Sequence, residues 1–245
     1  MIRVRKESFM RLDKLLSECG ILSRKECAVA AKRGQITVDG VPQKDASVHI
    51  DPERQEVFYL GRRVEYRRFT YIMLNKPAGY VSATEDSCLP VVTELLEGEL
   101  KNIELFPVGR LDRDTVGMMI LTNNGPLAHR LLSPKRHVEK VYRFECAEPL
   151  TERAEECFLS GITLGDGYEC KSSALVMDEG RLSGCITLTE GKYHQIKRMI
   201  AALGNRVTYL ERISFAGIPL DPRLLRGEYR RLTPEEERYI ESLGN

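Results

Sequence analysis

Residues 109–122 read Gly-Arg-Leu-Asp-Arg-Asp-Thr-Val-Gly-Met-Met-Ile-Leu-Thr, a polar loop between glycines that leads directly into an apolar strand. A short loop before a core strand is a good place to hold a carboxylate rigidly. The loop contains two carboxylates, Asp112 and Asp114. Residues two apart point in opposite directions along an extended chain, so we expect that these two do not share one proton. From spacing alone, a solvated loop is the favoured interpretation.

Other strands alternate with short helices around this stretch, without the rhythm of repeated strand–helix–strand units. The clearest strand patterns cover residues 71–74, 118–122, 141–144 and 186–189. Asn124-Gly125-Pro126 predicts a turn whose proline opens a helix over 127–132, and Thr233-Pro234 before three glutamates predicts a last helix. Together the patterns predict an α+β fold, with helices packed on a mixed or antiparallel sheet.

Nearer the amino terminus, two short helices precede a hairpin. Residues 11–19 place apolar side chains on one helix face, and Ser23 with Glu26 forms a capping box for a second helix. Residues 35–38 alternate like a strand before the tight turn Asp39-Gly40. These elements predict a compact module of about 50 residues, small enough to be marginally stable alone. Residues 61–70 predict a linker or an edge strand that leads into a second domain.

Basic residues are concentrated in this front part of the chain. Residues 1–68 contain 15 Lys and Arg against 10 Asp and Glu, whereas the whole chain has a formal net charge of +1. A charge run is usually a solvated face, but the polar positions of both helices are mostly cationic. Phosphate binding is therefore at least as well supported, through six side chains: Arg11, Lys14, Arg24, Lys25, Lys32 and Arg33.

The sequence argues against several classes of protein. The 245 residues contain no apolar run near the ~20 residues that cross a bilayer, and residues 1–6 are charged without the apolar stretch of a secretory signal. The seven Cys and four His are scattered, without the spacing of a zinc site or a disulfide framework. Neither a Walker loop nor GxGxxG is present. We expect no metal, nucleotide or dinucleotide cofactor, no membrane association, and a cytoplasmic location.

Two further stretches could carry chemistry. Residues 190–200 place Ile196, Met199 and Ile200 on one helix face, which leaves off the buried stripe His194, Gln195, Lys197 and Arg198. A lysine beside an aspartate favours the charged carboxylate, and the cluster could also hold phosphates; an exposed basic helix is about equally supported. Residues 131–142 end on a strand tyrosine, Tyr142, which is either core or a ring face for a flipped base.

At residues 10–54 the chain resembles the small RNA-binding module named after ribosomal protein S-four. The resemblance rests on Arg11-Leu12-Asp13-Lys14-Leu15-Leu16, Ser23-Arg24, Gly34 and Val38-Asp39-Gly40. The first nine residues precede this pattern.

Nearly the whole chain after residue 9 resembles the pseudouridine synthases. Four motifs occur in the family's order: Leu74 to Gly79, Gly109 to Gly117, Lys140 to Tyr142, and Gly191 to Met199. Residues 133–140 and 193–199 resemble the branch that acts on small-subunit ribosomal RNA, because large-subunit relatives more often carry Asn-Arg-Gln and Arg in the latter stretch. We therefore expect an S-four-like RNA-binding domain with a linker over 10–68 and a catalytic domain over 69–245.

The resemblance implies isomerisation of a uridine within RNA, without a cofactor. It implies that Asp112 is the catalytic carboxylate, as nucleophile or as base. Lys197 is the candidate ion-pair partner of Asp112, and Tyr142 the candidate for stacking on the base and helping to remove the carbon-5 proton. Arg110 is the candidate for holding the space that the uridine leaves. Other expected roles are RNA binding by His194 and Arg198, loop shaping by Asp114 and Thr115, and structural support at the cleft edge by Lys76-Pro77.

The expected partner is small-subunit (16S) ribosomal RNA, either free or in an assembling particle, and the expected state is a monomer. Three alternatives stay open: a synthase that acts on large-subunit ribosomal RNA, a non-catalytic RNA-binding assembly factor, and, more distantly, a glycosidase that uses Asp112 with a second acid. The intact set of Asp112, Tyr142 and Lys197 argues against the assembly factor, because a carboxylate in a cationic cleft would repel phosphate.

Overall fold

The computed structural model describes residues 9–244, which fall into two compact units. The first unit contains the described part of Met1–Phe69 together with Leu96–Leu105, and the second contains Thr70–Leu95 and the chain from Phe106 onwards. Leu96–Leu105 therefore clusters with the front unit, although the sequence assigns it to the catalytic domain. The expectation for residues 1–6 lies outside the described residues.

Two α-helices, six short strands and a 3-10 helix at Gly98–Asn102 build the described part of the first unit. Strands β3-β2-β5-β6 form an antiparallel sheet in that order, and β1 pairs with β4. The elements are β1 Met10–Arg11, α1 Leu12–Glu18, α2 Arg24–Lys32, β2 Ile36–Val38, β3 Val41–Pro42, β4 His49–Ile50, β5 Val57–Tyr59 and β6 Arg62–Arg63. The sequence predicts a linker or an edge strand over residues 61–70. Strand β6 lies within this stretch and at the edge of the sheet.

Local signals in the sequence explain these elements. The Ser23 hydroxyl accepts from the Glu26 amide at 3.3 Å, and the Glu26 carboxylate accepts from the Ser23 amide at 2.8 Å, which confirms the capping box of α2. Asp39 and Gly40 both have positive φ, 50° and 79°, as a tight hairpin turn requires. Apolar faces of both helices meet the sheet in one core that includes Leu12, Leu15, Leu16, Cys27, Ala31 and Ile36.

Within the first unit, Gly20 allows close contact between the end of α1 and the segment Leu96–Leu105. Its φ is +73°, and a Cβ at this position would lie 2.1 Å from the carbonyl oxygen of Glu99. Asn102 donates its side-chain amide to the carbonyl of Gly20 at 2.7 Å. A glycine is therefore needed here both for the conformation and for the contact.

A mixed sheet of nine strands forms the second unit and confirms the α+β class. Seven strands run in the order β11-β12-β10-β13-β9-β7-β15, while β14 pairs with β13 and β8 with β9. The strands are β7 Tyr71–Lys76, β8 Phe106–Pro107, β9 Val116–Thr122, β10 Lys140–Cys146, β11 Ala174–Met177, β12 Ser183–Leu188, β13 Val207–Phe215, β14 Ile218–Pro219 and β15 Tyr229–Arg231. The helices are α3 Gly125–Leu132, α4 Ala154–Ser160, α5 Gln195–Ala202 and α6 Pro234–Ser242.

Strands β7 and β9 are neighbouring interior strands of this sheet and are buried at every position. They pair antiparallel, whereas β9 and β13 pair parallel at Val116 and Gly117. A strand that is buried on both faces reads as a continuous apolar run, as residues 118–121 do. Because β9 begins at Val116, the sheet fixes the end of the loop that contains both aspartates. Within residues 9–244, no helix is long and apolar enough to cross a membrane.

Candidate active site

The loop before β9 is bent and tightly held. The amide of Thr115 donates to the carbonyl of Asp112 at 3.1 Å, which turns the chain between the two aspartates. Ser82, which is buried, accepts from the amide of Leu111 at 2.9 Å and donates to its carbonyl at 2.7 Å. The residue before Asp112 is therefore fixed by two reciprocal hydrogen bonds.

Beneath this loop lies the fully buried ammonium group of Lys76. Its Nζ lies 2.8 to 3.3 Å from four carbonyl oxygens, those of Pro77, Asp112, Arg113 and Thr115. Burial lowers the pKa of Lys76 to about 8, although the nearby Asp114 and Asp112 charges oppose that shift. The sequence predicts a structural role for Lys76. Three of the four carbonyls that it contacts belong to the loop of Asp112, so this loop is the segment that Lys76 would support.

Helix α5 supplies the cation of the site. The Nζ of Lys197 lies 3.0 Å from Oδ2 of Asp112 and 2.6 Å from Oδ1 of Asp114. Along an extended chain the two carboxylates would point in opposite directions, but the loop is bent, so both reach the same ammonium group. The Nε2 of His194 lies 3.6 Å from the other carboxylate oxygen of Asp112.

Charge pairing dominates the titration of this group. Partial burial alone would raise the pKa of Asp114, but the hydrogen bond and the charge of Lys197 lower it overall. Burial would likewise lower the pKa of Lys197, but its hydrogen bonds to Asp114 and Asp112 raise it. Lys197 is therefore cationic and Asp114 anionic at neutral pH.

Tyr142 lies on β10, with 8% of the residue exposed. It pairs with Ile186 of β12 on one side and with Arg212 of β13 on the other. The β10–β13 register shifts between Val141 and Tyr142, an irregularity that re-aims side chains beside functional sites. Within residues 9–244, no hydrogen bond joins Tyr142 to Asp112 or Lys197, so the structure links only the latter two of the three predicted catalytic residues directly.

Arg212 is a buried arginine that the sequence analysis missed. It is 1% exposed, donates from Nε to the carbonyl of Met118 at 2.7 Å and lies over the ring of Phe215 at 5.0 Å. Its Nη2 has no hydrogen-bond partner among the described residues. The signal in the sequence was a charged residue inside an apolar strand, Tyr-Leu-Glu-Arg-Ile-Ser-Phe, at residues 209–215.

The expectation that Gln195 lies off the buried face of α5 is wrong, because its side chain is buried with that face. Its side chain donates to Glu190 at 2.7 Å and accepts from the amide of Lys192 at 2.8 Å. Glu190, also buried, accepts from the Tyr168 hydroxyl as well. Burial of polar side chains is possible here because each finds a partner.

The residues predicted to bind RNA are distributed over both units. The six first-unit cations that the sequence predicts to bind RNA are all exposed, although Arg11 contacts Asp13 at 2.6 Å and Lys14 contacts Glu18 at 3.6 Å. In the second unit Arg110 is exposed, whereas Arg198 forms an ion pair with Asp166 at 2.5 Å. No cluster of three or more side chains that could hold a metal ion occurs within residues 9–244.

Comparison with known proteins adds family information. Residues 70–202 match the family model described as RNA pseudouridylate synthase, and residues 10–55 match that of the S4 domain. An uncharacterised RNA pseudouridine synthase, YtzG of Bacillus subtilis, is 47% identical over 93% of this chain and 96% of its own. Proteins named ribosomal small subunit pseudouridine synthase A are 40% identical in Vibrio cholerae, where 97% of the relative is covered, and 36% in Escherichia coli, where 98% is covered. Both alignments span 93% of this chain.

A solved structure, described as a crystal structure of pseudouridylate synthase, is 36% identical and matches with a TM-score of 0.66. The match covers 96% of this chain and 99% of the solved one.

Proposed function

The chain belongs to the RNA pseudouridylate synthase family, and we propose that it isomerises a uridine of small-subunit (16S) ribosomal RNA, with Asp112 as its catalytic carboxylate. The names of the relatives from Vibrio cholerae and Escherichia coli support this choice of RNA. We take the enzyme to act as a monomer in the cytoplasm, on free RNA or on an assembling particle.

One observation supports the role of Asp112 most strongly. Its carboxylate lies 3.0 Å from Lys197, and about a quarter of each side chain is exposed, 26% and 25%. A cation at this distance attracts the carboxylate and holds it in one position, while the partial exposure leaves it accessible to a substrate. The two roles open to Asp112 are nucleophile and base.

The reaction rearranges one nucleotide. The bond between ribose C1′ and uracil N1 breaks, the base turns, and C5 of the base bonds to C1′ and then loses its proton. The freed N1 takes up a proton, so that the product has the composition of the substrate. Tyr142 is the proposed stacking partner of the base and assists removal of that proton. Arg110 is the proposed occupant of the space that the flipped uridine leaves in the RNA.

A uridine inside folded RNA must leave its stack before Asp112 can reach it, at a cost of about a few kcal/mol. Contacts to phosphates offset that cost and position the RNA without reading its bases. We assign this role to the exposed cations of the first unit, which occupy both of its helices and their flanks: Arg11, Lys14, Arg24, Lys25, Lys32 and Arg33. His194 and Arg198 are the proposed contacts beside the carboxylate.

The test is release of tritium from carbon-5 of uridine, because formation of the new carbon–carbon bond frees that label into water. The purified chain is incubated with labelled 16S RNA, with 16S RNA in partly assembled particles, and with large-subunit RNA. We expect release from a 16S substrate, at one mapped position. Release from large-subunit RNA alone would move the substrate to that RNA, and binding without release from any substrate would favour a non-catalytic assembly factor.

A further inference from the structure

Tyr193 is the most exposed large apolar or aromatic side chain in the described part of the chain. Its exposed fraction is 76%, and one face of its ring stacks on the imidazole of His194, with the ring centroids 3.8 Å apart and the planes at 18°. Single exposed aromatic side chains are common on protein surfaces, so the position of this ring, and not its exposure alone, is the informative observation.

This aromatic pair borders the carboxylate of the site. The Nε2 of His194 lies 3.6 Å from Oδ1 of Asp112, and Tyr193 covers the adjacent face of the same imidazole. A nucleotide whose sugar reached Asp112 would therefore bring its neighbours in the RNA close to the ring of Tyr193.

The segment that presents the pair is braced. Buried Glu190 accepts from Gln195 at 2.7 Å and from the Lys171 amide at 3.0 Å, and Gln195 accepts from the Lys192 amide. His194 has a positive φ of 48°, which is uncommon outside glycine and marks a conformation that its surroundings impose. A preorganised ring loses little conformational entropy when a ligand stacks on it.

We propose that Tyr193 is a stacking platform for an unpaired RNA base adjacent to the flipped uridine. When the uridine leaves the helix, its neighbours lose one stacking partner, and an aromatic ring can replace it. Stacking on a protein ring tolerates any base, because every base has a π face. The proposal rests on the proposed function, since it requires an RNA substrate at Asp112, and it assigns to that site a contact with a nucleotide other than the reacting one.

Ring-retaining and ring-removing variants test the idea. Tyr193→Ala should weaken binding of the 16S substrate roughly 5- to 100-fold, whereas Tyr193→Phe should bind like wild type because the ring, not the hydroxyl, stacks. Thermal unfolding of both variants checks that the fold is intact. Equal binding by wild type and Tyr193→Ala would overturn the proposal, as would an equal loss in both variants.

A change in the RNA separates stacking from mere support of His194. Once the modified uridine is mapped, the base of each flanking nucleotide is removed in turn to leave an abasic sugar. At one of the two positions, wild type should lose the same factor in affinity that Tyr193→Ala loses, and Tyr193→Ala should lose nothing further. Additive losses at both positions would contradict a contact between the ring and a base.

Fluorescence gives an independent readout, because the chain contains no tryptophan. Tyr193→Trp introduces a single tryptophan that a stacked base should quench when 16S RNA binds. Leu159→Trp is the matched control, since Leu159 is 68% exposed on α4, and we expect no quenching there. Quenching at neither position, or equally at both, contradicts the platform. If wild type releases no tritium from any RNA, the proposed function fails instead, and that result does not depend on Tyr193.

Discussion

Lys197 contacts two carboxylates at once, and the shorter contact is to Asp114 and not to Asp112. Asp114 is largely exposed, with 74% of its side chain accessible, so its ion pair with Lys197 is the more strongly screened by solvent. We propose that Asp114 helps to position the ammonium group, and that the less exposed Asp112 is the carboxylate that meets the RNA substrate, in a less hydrated setting.

The charge of Lys197, and not its chain length, should matter for turnover. Lys197→Met should lower kcat roughly 10- to 100-fold, the range expected for loss of a hydrogen bond to a charged group. Lys197→Arg should keep most of the activity, because guanidinium is also a permanent cation. Single-turnover tritium release measures both variants. Near-wild-type turnover by Lys197→Met would show that the ion pair between Lys197 and Asp112 is not needed for the reaction.

At the scale of elements, Lys76 at the end of β7 joins two parts of the central sheet. It is buried within the sheet, and its ammonium group binds carbonyls along the loop that enters β9. Three donor protons serve four carbonyl oxygens, so the loop depends on this side chain at several points. A buried charge is costly, and that cost is visible in its lowered pKa.

Lys76 should make stability depend on pH in a defined direction. The ordinary pKa of 10.5 falls to about 8 on folding, so between these values the unfolded chain binds a proton that the folded chain has lost. Stability therefore rises with pH across this window. Lys76→Met lacks this titration. The unfolding free energy of wild type minus that of Lys76→Met should therefore increase, and so widen in favour of wild type, from pH 7 towards pH 10, by up to roughly 3 kcal/mol.

Comparing the two proteins isolates Lys76, because Lys140, whose pKa burial also lowers to about 8, is present in both. Lys171→Met, at an exposed lysine of the same unit, is the control and should show no widening. Urea unfolding at pH 7.0, 8.5 and 9.5 provides the measurement. A difference that stays constant over this range would show that Lys76 does not titrate there.

Elements whose signals are local were predictable from the sequence, and contacts that depend on tertiary structure were not. The capping box at Ser23, the Asp39-Gly40 turn and the proline that opens α3 each involve neighbours in the chain. The parallel pairing of β9 with β13 joins residues about a hundred positions apart, and no local pattern encodes it.

In the site, too, local signals were predictable and tertiary contacts were not. The ion pair between Asp112 and Lys197 was predicted only because the family resemblance relates these two distant segments. The sequence analysis missed the burial of Gln195 and Arg212, since whether a polar residue is buried depends on partners from distant segments. It gave the directions of Asp112 and Asp114 only for an extended chain, and the hydrogen bond from the Thr115 amide to the Asp112 carbonyl bends the loop.

At the scale of the whole molecule, we assign RNA holding and chemistry to different parts of the chain. The first unit presents the six exposed cations that we assign to RNA binding, and the second contains the Asp112–Lys197 pair. Phosphate contacts are additive and sensitive to salt, whereas a reacting carboxylate acts at one nucleotide. The two contributions should therefore be separable by substitution.

Neutralising Arg24 and Lys25 should weaken RNA binding without changing the single-turnover rate of saturated enzyme. For the double Ala variant, the slope of log affinity against log salt should become shallower by about 0.7 to 0.9 for each phosphate that the protein no longer neutralises. The charge-preserving exchange, Arg24→Lys with Lys25→Arg, is the matched control and should keep the wild-type slope. Unchanged affinity and slope in the double Ala variant would exclude this surface from the RNA path.

The most direct test of the central claim compares the two aspartates of one loop in a single-turnover assay with carbon-5-tritiated 16S RNA. Asp112→Asn keeps the shape of the side chain and removes its charge, and we predict that it binds RNA but releases no tritium. Asp114→Asn should retain about a tenth or more of the wild-type rate, because it perturbs only the position of Lys197. Release by Asp112→Asn at a rate near wild type, together with no release by Asp114→Asn, would contradict the account and move the chemistry to Asp114.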